Sequence, residues 1–166
     1  MIKKILLAVA LAIPMLVSAQ TLKVGVVDTN TIMQAMPDTK TAETKLADTS
    51  KKYEDEFAKL QQEMARLYEE FQKMPESEPQ AIKERKMREL SEMQQKIETF
   101  NQSASQDLQR MQQELMQPIV AKIKNAIESV GQENGFSLIQ ETTTVIYFGA
   151  PVEDITAKVK AKLGVN

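Results

Sequence analysis

The sequence contains no cysteine and no histidine among its 166 residues. Without cysteine no disulfide can form, and without histidine the protein lacks a common general acid–base residue and a common zinc ligand. Glycine (5 residues), proline (6 residues) and aromatic side chains (5%) are also scarce. This composition is typical of long helices and not of a compact enzyme. We therefore expect no enzymatic activity, no cofactor and no metal.

Residues 1–19 have the pattern of a secretory signal peptide. Lys3 and Lys4 form a charged start, an apolar run is interrupted only by Pro14, and Val17-Ser18-Ala19 supplies small residues before a cleavage point. A retained membrane anchor is the alternative, but the apolar run is shorter than the roughly 20 residues that span a bilayer. We predict cleavage after Ala19 and export of the mature chain.

The charge of the mature chain argues against nucleic acid as a partner. Removing Lys3 and Lys4 leaves 19 basic residues against 23 acidic ones, a net charge near −4. Binding to phosphates generally requires an excess of positive charge.

The start of the mature chain predicts a strand followed by a short helix. Leu22, Val24 and Val26 alternate, as in a strand with one buried face. The polar run Asp28-Thr29-Asn30 can cap the following helix, which Pro37 should end. The expected apolar face of this helix consists of Ile32, Met33 and Met36.

The middle of the chain carries an apolar repeat with an average spacing of 3.5 residues, which indicates a coiled coil. In the first arm the repeat positions are Leu46, Ser50, Tyr53, Phe57, Leu60, Met64, Leu67, Phe71 and Met74. In the second arm they are Met87, Leu90, Met93, Ile97, Phe100, Ala104, Leu108, Met111, Leu115 and Ile119. The four-residue step from Ala104 to Leu108 is a stutter, which unwinds a supercoil locally.

Pro75 and Pro79 interrupt this repeat midway. The flanking segments, residues 39–74 and 81–117, have 36 and 37 residues, so each gives roughly 55 Å of helix. We predict an antiparallel helical hairpin over residues 39–117, with its tip at 75–80 and a capping box formed by Ser77 and Gln80. One continuous kinked helix is the alternative, which two prolines four residues apart disfavour. Pro118 should kink the second arm, and the helix beyond it should pack against the strands.

The last part of the chain predicts two more strands and a final helix. Asn134-Gly135 should end the long helix. Residues 136–139 and 145–148 predict the strands, with a turn over 141–144. Pro151 and Asp154 should open the last helix and Gly164 should end it. Its expected apolar face consists of Ile155, Val159 and Leu163.

The resulting fold class is mainly α with a small β body. We assign residues 20–38 and 118–166 to this body. Three short strands leave exposed edges, and a two-helix arm buries little apolar surface, so we expect the body to oligomerise. The candidates for the core or the subunit interface are Val24, Val26, Leu138, Ile139, Ile146 and Phe148.

The residues also resemble those of a known family, the Skp/OmpH-type periplasmic chaperones. Three features carry this resemblance over the whole mature chain. They are the start VGVVDTNTIMQAMP after a signal peptide, the Gln-rich charged hairpin, and the end GAPVEDITAKVKAKLG. In the last, Asp154-Ile155-Thr156 looks like the terminal motif of the family.

The resemblance implies a homotrimer in which strands from three subunits form a barrel-like body and three helical tentacles surround a cavity. It also implies a periplasmic holdase that keeps unfolded outer-membrane proteins from aggregating without ATP. The chain has no phosphate-binding G-x-x-x-x-G-K-[ST] motif. Members of this family are often basic, whereas this chain is slightly acidic and places Glu76 and Glu78 near the tip.

Residues near the tip are candidates for client contact. Methionine side chains are flexible and suit many partner sequences, and a basic run, KERKMR, suits acidic client segments or a membrane surface. The candidates are Met74, Met87, Lys83, Arg85, Lys86 and Arg88. Alternatively, the methionines fill the seam between the arms, and the basic residues form a solvated face that Glu84 and Glu89 partly neutralise.

A structural or adaptor coiled-coil protein of the cell envelope, which binds a folded partner, is the alternative function. A rigid spacer would favour a seam rich in Leu and Ile, whereas this seam also contains Met, Phe, Tyr, Ser and Ala. Asp28 and Asp154 are the candidates for a catalytic carboxylate pair, but each precedes an expected helix, so capping explains both better.

Overall fold

The computed structural model describes residues 22–165, so the signal peptide and the cleavage after Ala19 lie outside the described residues. The elements are β1 (Val24–Val27), α1 (Thr29–Ala35), α2 (Pro37–Gln72), α3 (Gln80–Glu133), β2 (Leu138–Glu141), β3 (Glu153–Asp154) and α4 (Thr156–Leu163). No helix within residues 22–165 combines the length and the apolarity needed to cross a bilayer.

The three strands form a parallel sheet with β1 in the centre, in the order β2-β1-β3. In the register, Val24 lies opposite Leu138 and Val26 opposite Asp154. Strands of parallel sheets are commonly covered on both faces. Val26 and Val27 accordingly point to opposite faces and are 1% and 3% exposed. The prediction of a strand with only one buried face is therefore wrong, since both faces of β1 are buried. Leu22 lies before β1 and is 67% exposed.

The strand predicted at residues 145–148 is also wrong. A 3₁₀ turn over Thr142–Thr144 follows β2, and the chain then runs irregularly through residues 145–148. Ile146 is fully exposed and Tyr147 is 84% exposed. The third strand lies instead at Glu153–Asp154. Backbone hydrogen bonds, and not an apolar pattern, define this strand, so polar residues can form it.

One apolar core joins α1, the start of α2, the last third of α3 and α4 to the sheet. It contains Val27, Ile32, Met36, Ala42, Ile119, Ile123, Ala126, Val130, Ile155 and Val159. The helix beyond Pro118 therefore packs into the base of the molecule, as the sequence predicts. Ile155 and Val159 are both fully buried, which confirms the predicted apolar face of α4.

The ends of the short elements largely follow the predicted capping. Asp28 caps α1, because its carboxylate accepts a hydrogen bond from the Thr31 N–H at 2.9 Å. Gly135 and Gly164 have φ values of +66° and +71° and end α3 and α4. Pro37 lies in the first turn of α2, directly after α1 ends, where a missing N–H costs nothing.

Contacts between α2 and α3 fit a helical hairpin. Asp38 near the start of α2 forms an ion pair with Lys122, whereas Glu70 near its end lies 3.2 Å from Lys86 near the start of α3. α3 continues through Pro118 as one helix of 54 residues.

The predicted capping box at the turn is wrong. The N-cap of α3 is Pro79, and no side-chain hydrogen bond caps this end of the helix. Gln80 donates instead to the Glu84 carboxylate at 3.2 Å. Pro79 therefore starts the helix without a side-chain cap, through its restricted backbone and its carbonyl, which accepts from the Ile82 N–H at 2.9 Å.

Candidate functional site on the helical arm

The predicted apolar seam between α2 and α3 is confirmed over most of its length. Every repeat position of α2 from Leu46 to Phe71 is buried or half-buried, and in α3 the same holds from Leu90 onward. The most deeply buried repeat positions are Ile119, Leu60, Met93 and Ala104, at 3%, 4%, 8% and 9% exposure. Met87 is the exception, since it is 59% exposed. The seam is narrow, so the remaining faces of both helices are solvated.

The tip is a short turn between α2 and α3. Within it, the Glu78 N–H donates to the Pro75 carbonyl at 3.1 Å. The Lys83 ammonium donates to the Glu76 carbonyl at 2.8 Å and so ties α3 back to the turn. Met74 is half-buried beside this turn.

The four basic candidates after the tip differ in their surroundings. Lys86 lies between Glu70 at 3.2 Å and Glu89 at 2.9 Å, and thereby joins the two helices. Its bonds to Glu89 and Glu70 raise the pKa of Lys86, and Lys86 in turn lowers the pKa of the Glu89 carboxyl. Arg85 lies 3.6 Å from Glu89. Among the described residues Arg88 forms no salt bridge, so its guanidinium is available to a partner.

A polar contact within the seam lies midway along the arm. The Tyr53 hydroxyl donates to the Asp107 carboxylate at 2.6 Å, and the Tyr53 ring packs edge-on against Phe100 with centroids 5.9 Å apart. This bond lowers the pKa of Asp107 and raises that of Tyr53. The apolar repeat in the sequence does not predict this pair. The signal was a tyrosine at a seam position, because a partly buried Tyr hydroxyl usually finds a partner.

Nearer the body, small side chains leave the seam incompletely filled. A groove of about 450 Å³ lies between the helices, and among its lining residues are Leu46, Ala47, Ser50, Ser105 and Leu108. The groove coincides with the four-residue step from Ala104 to Leu108. A local change in supercoil and several small side chains together account for the loose packing.

The candidate body residues fall into two groups. Val26 is 1% exposed and belongs to the core of its own subunit, and Val24 and Ile139 are half-buried. Leu138, Ile146 and Phe148 are 44%, 105% and 39% exposed, so they offer apolar surface to a partner. Within residues 22–165 no group of three or more acidic side chains is arranged to hold a metal ion.

Comparisons with known proteins agree with the resemblance noted in the sequence. The family model described as "Outer membrane protein (OmpH-like)" matches residues 23–163. The chain is also 29% identical over 167 residues to the "Chaperone protein Skp" of Yersinia enterocolitica, covering 95% of this chain and 96% of that protein. Because the family model matches far more than half of its length, the chain belongs to the OmpH-like outer membrane protein family.

Proposed function

We propose that this protein is an ATP-independent periplasmic holdase chaperone. It binds unfolded outer-membrane proteins in a cavity between antiparallel helical tentacles and prevents their aggregation. Family membership and the similarity to a protein named as a chaperone support this function.

The exposed surface of the arm is the observation that carries the proposal. Outside the narrow seam, nearly every side chain of α2 and α3 between residues 43 and 114 is solvent-accessible. Apolar side chains also lie on this surface near the tip, since Tyr68 is 52% and Met87 59% exposed. Many weak contacts of this kind bind an extended chain without reading its sequence, and flexible Met side chains adapt to different partners.

The body serves as the trimerisation domain in this proposal. Residues 20–38 and 118–166 of three subunits form a barrel-like centre, and residues 39–117 of each form an arm. Leu138, Ile146, Tyr147 and Phe148 are exposed in the single subunit. Exposed apolar side chains that form a patch commonly mark an interface with another protein, and burying these four between subunits would remove them from solvent.

In the direct test, a urea-unfolded outer-membrane β-barrel protein is diluted into buffer that already contains the mature chain. Light scattering reports client aggregation, and a mass measurement reports the stoichiometry of the complex. We expect a soluble complex of one client with three chains. A client that still precipitates, or a mature protein with the mass of one chain, would contradict the proposal.

Charge reversal tests the contribution of the basic run. Arg85→Glu with Arg88→Glu should weaken suppression of aggregation for clients with acidic segments, because both side chains are exposed. Lys86 is left unchanged because it joins the helices. The matched control is Lys51→Glu with Lys52→Glu, which makes the same change of charge at exposed positions in the middle of the arm. Equal activity of the two variants would exclude a role for the basic run.

A further inference from the structure

The tip carries opposite charges at separate positions. Glu76 and Glu78, the tip acids, lie in the turn before α3. Arg85 and Arg88, the tip bases, are three residues apart on α3 and therefore share a face. Glu76 and both tip bases are exposed, and Glu78 is half-buried.

These charges are only partly compensated within one subunit, where the Lys83 ammonium lies 2.8 Å from the Glu76 backbone carbonyl. Among the described residues, neither tip acid forms a salt bridge and Arg88 forms none, while Arg85 has only a 3.6 Å contact with Glu89. Arg88 follows Pro79 by nine residues, or about 13 Å along the helix axis. The tip acids of the same subunit are therefore too far away to neutralise it while the turn keeps its form.

Rotational symmetry offers each group a partner in the next subunit. In a cyclic oligomer, neighbours meet through two different surfaces, so that one face of each subunit contacts another face of the next. A tip that carries acids and bases at separate positions supplies both surfaces. Three such tips can close into a ring in which every acid pair meets a base pair.

We infer that the tips of neighbouring arms associate through these opposite charges and close the far end of the cavity. This inference rests on the proposed trimer. Exposed ion pairs are individually weak and are screened by salt, so the closure is reversible and a client can open it.

Closure requires each arm to lean inward, and one groove in the seam lies where such bending has most effect. The groove beside Ser50 and Leu108 lies toward the body end of the arm. A small change of angle there moves the tip, at the far end of the arm, over a large distance.

Distances between tips test the inference directly. The chain has no cysteine, so Ser77→Cys gives one labelling site per arm for a spin label. Pulsed electron paramagnetic resonance on the labelled trimer should show a population of short tip-to-tip distances at low salt. This population should be lost at about 1 M salt, where the screening length is about 3 Å.

Charge variants separate this mechanism from other causes of closure. Glu76→Arg with Glu78→Arg should abolish the short distances, and so should Arg85→Glu with Arg88→Glu, because like charges then face each other. Combining all four substitutions should restore them, since opposite charges meet again. The control, Lys51→Glu with Lys52→Glu, should keep the short distances.

The mass of the labelled protein keeps the two proposals distinguishable. A trimer whose tip distances ignore salt and charge reversal would overturn tip closure and leave the holdase proposal intact. Failure of the combined variant to restore the short distances would also overturn it. A protein with the mass of one chain would overturn both.

Discussion

Asp28 connects the two ends of the body. Its carboxylate accepts hydrogen bonds from the Thr31 N–H at 2.9 Å and the Thr31 hydroxyl at 2.6 Å. Its own N–H donates to the Thr156 hydroxyl at 2.9 Å, so the start of α1 is held to the start of α4. The hydroxyl and the N–H of Thr31 lower the pKa of the Asp28 carboxyl below its usual value of 3.8.

Substitution of Asp28 should change the pH dependence of stability. Its pKa is lower in the folded state, so its stabilisation is complete above the unfolded value of 3.8 and is lost as pH falls through the folded pKa. Asp28→Ala should lower the urea midpoint at neutral pH, because α1 loses its cap. Asp28→Asn should lower it less, because Asn also caps helices.

Urea unfolding measured between about pH 7 and pH 3 checks this prediction. The difference in stability between the native protein and Asp28→Asn should shrink on acidification. A constant difference over that range would show that the carboxylate charge contributes nothing at this position.

Two methionines show the limit of predicting side-chain burial from the sequence repeat. Met87 and Met93 both occupy repeat positions, yet Met87 is 59% exposed and Met93 only 8%. Near the tip, Lys86 lies between Glu70 and Glu89 at the contact of the two helices, and Met87 lies outside that contact. A 3.5-residue repeat predicts packing only while the partner helix continues to supply apolar partners.

At the scale of elements, α3 tolerates a proline in its interior. Pro118 is exposed and lies within the continuous helix Gln80–Glu133. A proline there removes the backbone hydrogen bond to the residue four positions earlier and crowds that carbonyl. The long helix persists because Ile119 and Ile123, directly beyond the proline, are anchored in the core at 3% exposure each.

Replacing this proline should stabilise the helix. Pro118→Ala restores the backbone hydrogen bond and should raise the free energy of unfolding by up to about 3 kcal/mol. Thermal unfolding followed by circular dichroism measures the change. Gln117→Ala, at the exposed neighbouring position, is the control and should change little. A lower midpoint for Pro118→Ala would mean that the body requires the local distortion.

The long helices and the final strand mark the two limits of prediction at this scale. The seam follows from local sequence, because residues three and four apart share a helix face. β3 consists of Glu153 and Asp154, which carry no apolar pattern and pair with Gly25 and Val26 from the other end of the chain. Such distant pairing has no local signal in the sequence. The apolar run at residues 145–148 has one, and the sequence therefore predicts the third strand there instead.

At the scale of the whole molecule, the exposed segment after β2 should decide the oligomeric state. Ile146→Asp with Phe148→Asp should convert the proposed trimer into single chains, because each new charge would be buried without a partner. The fold of the subunit should survive, since both side chains are outside its core.

Mass measurement with circular dichroism distinguishes these effects. Tyr68→Asp, which changes an exposed apolar residue on the arm, is the control and should remain trimeric. A double variant that stays trimeric would place the interface elsewhere on the body.

The central position of β1 has a consequence for biogenesis. Val24 and Val26 are paired with Leu138 and Asp154, so the body cannot form until the last part of the chain has been synthesised. Early folding of the hairpin would bring these distant segments together and shorten the loop to be closed. A chain truncated before Ile155 lacks Ile155 and Val159, which are fully buried in the intact core. Such a product would keep its arm but expose the apolar body, and we expect cellular proteases to remove it.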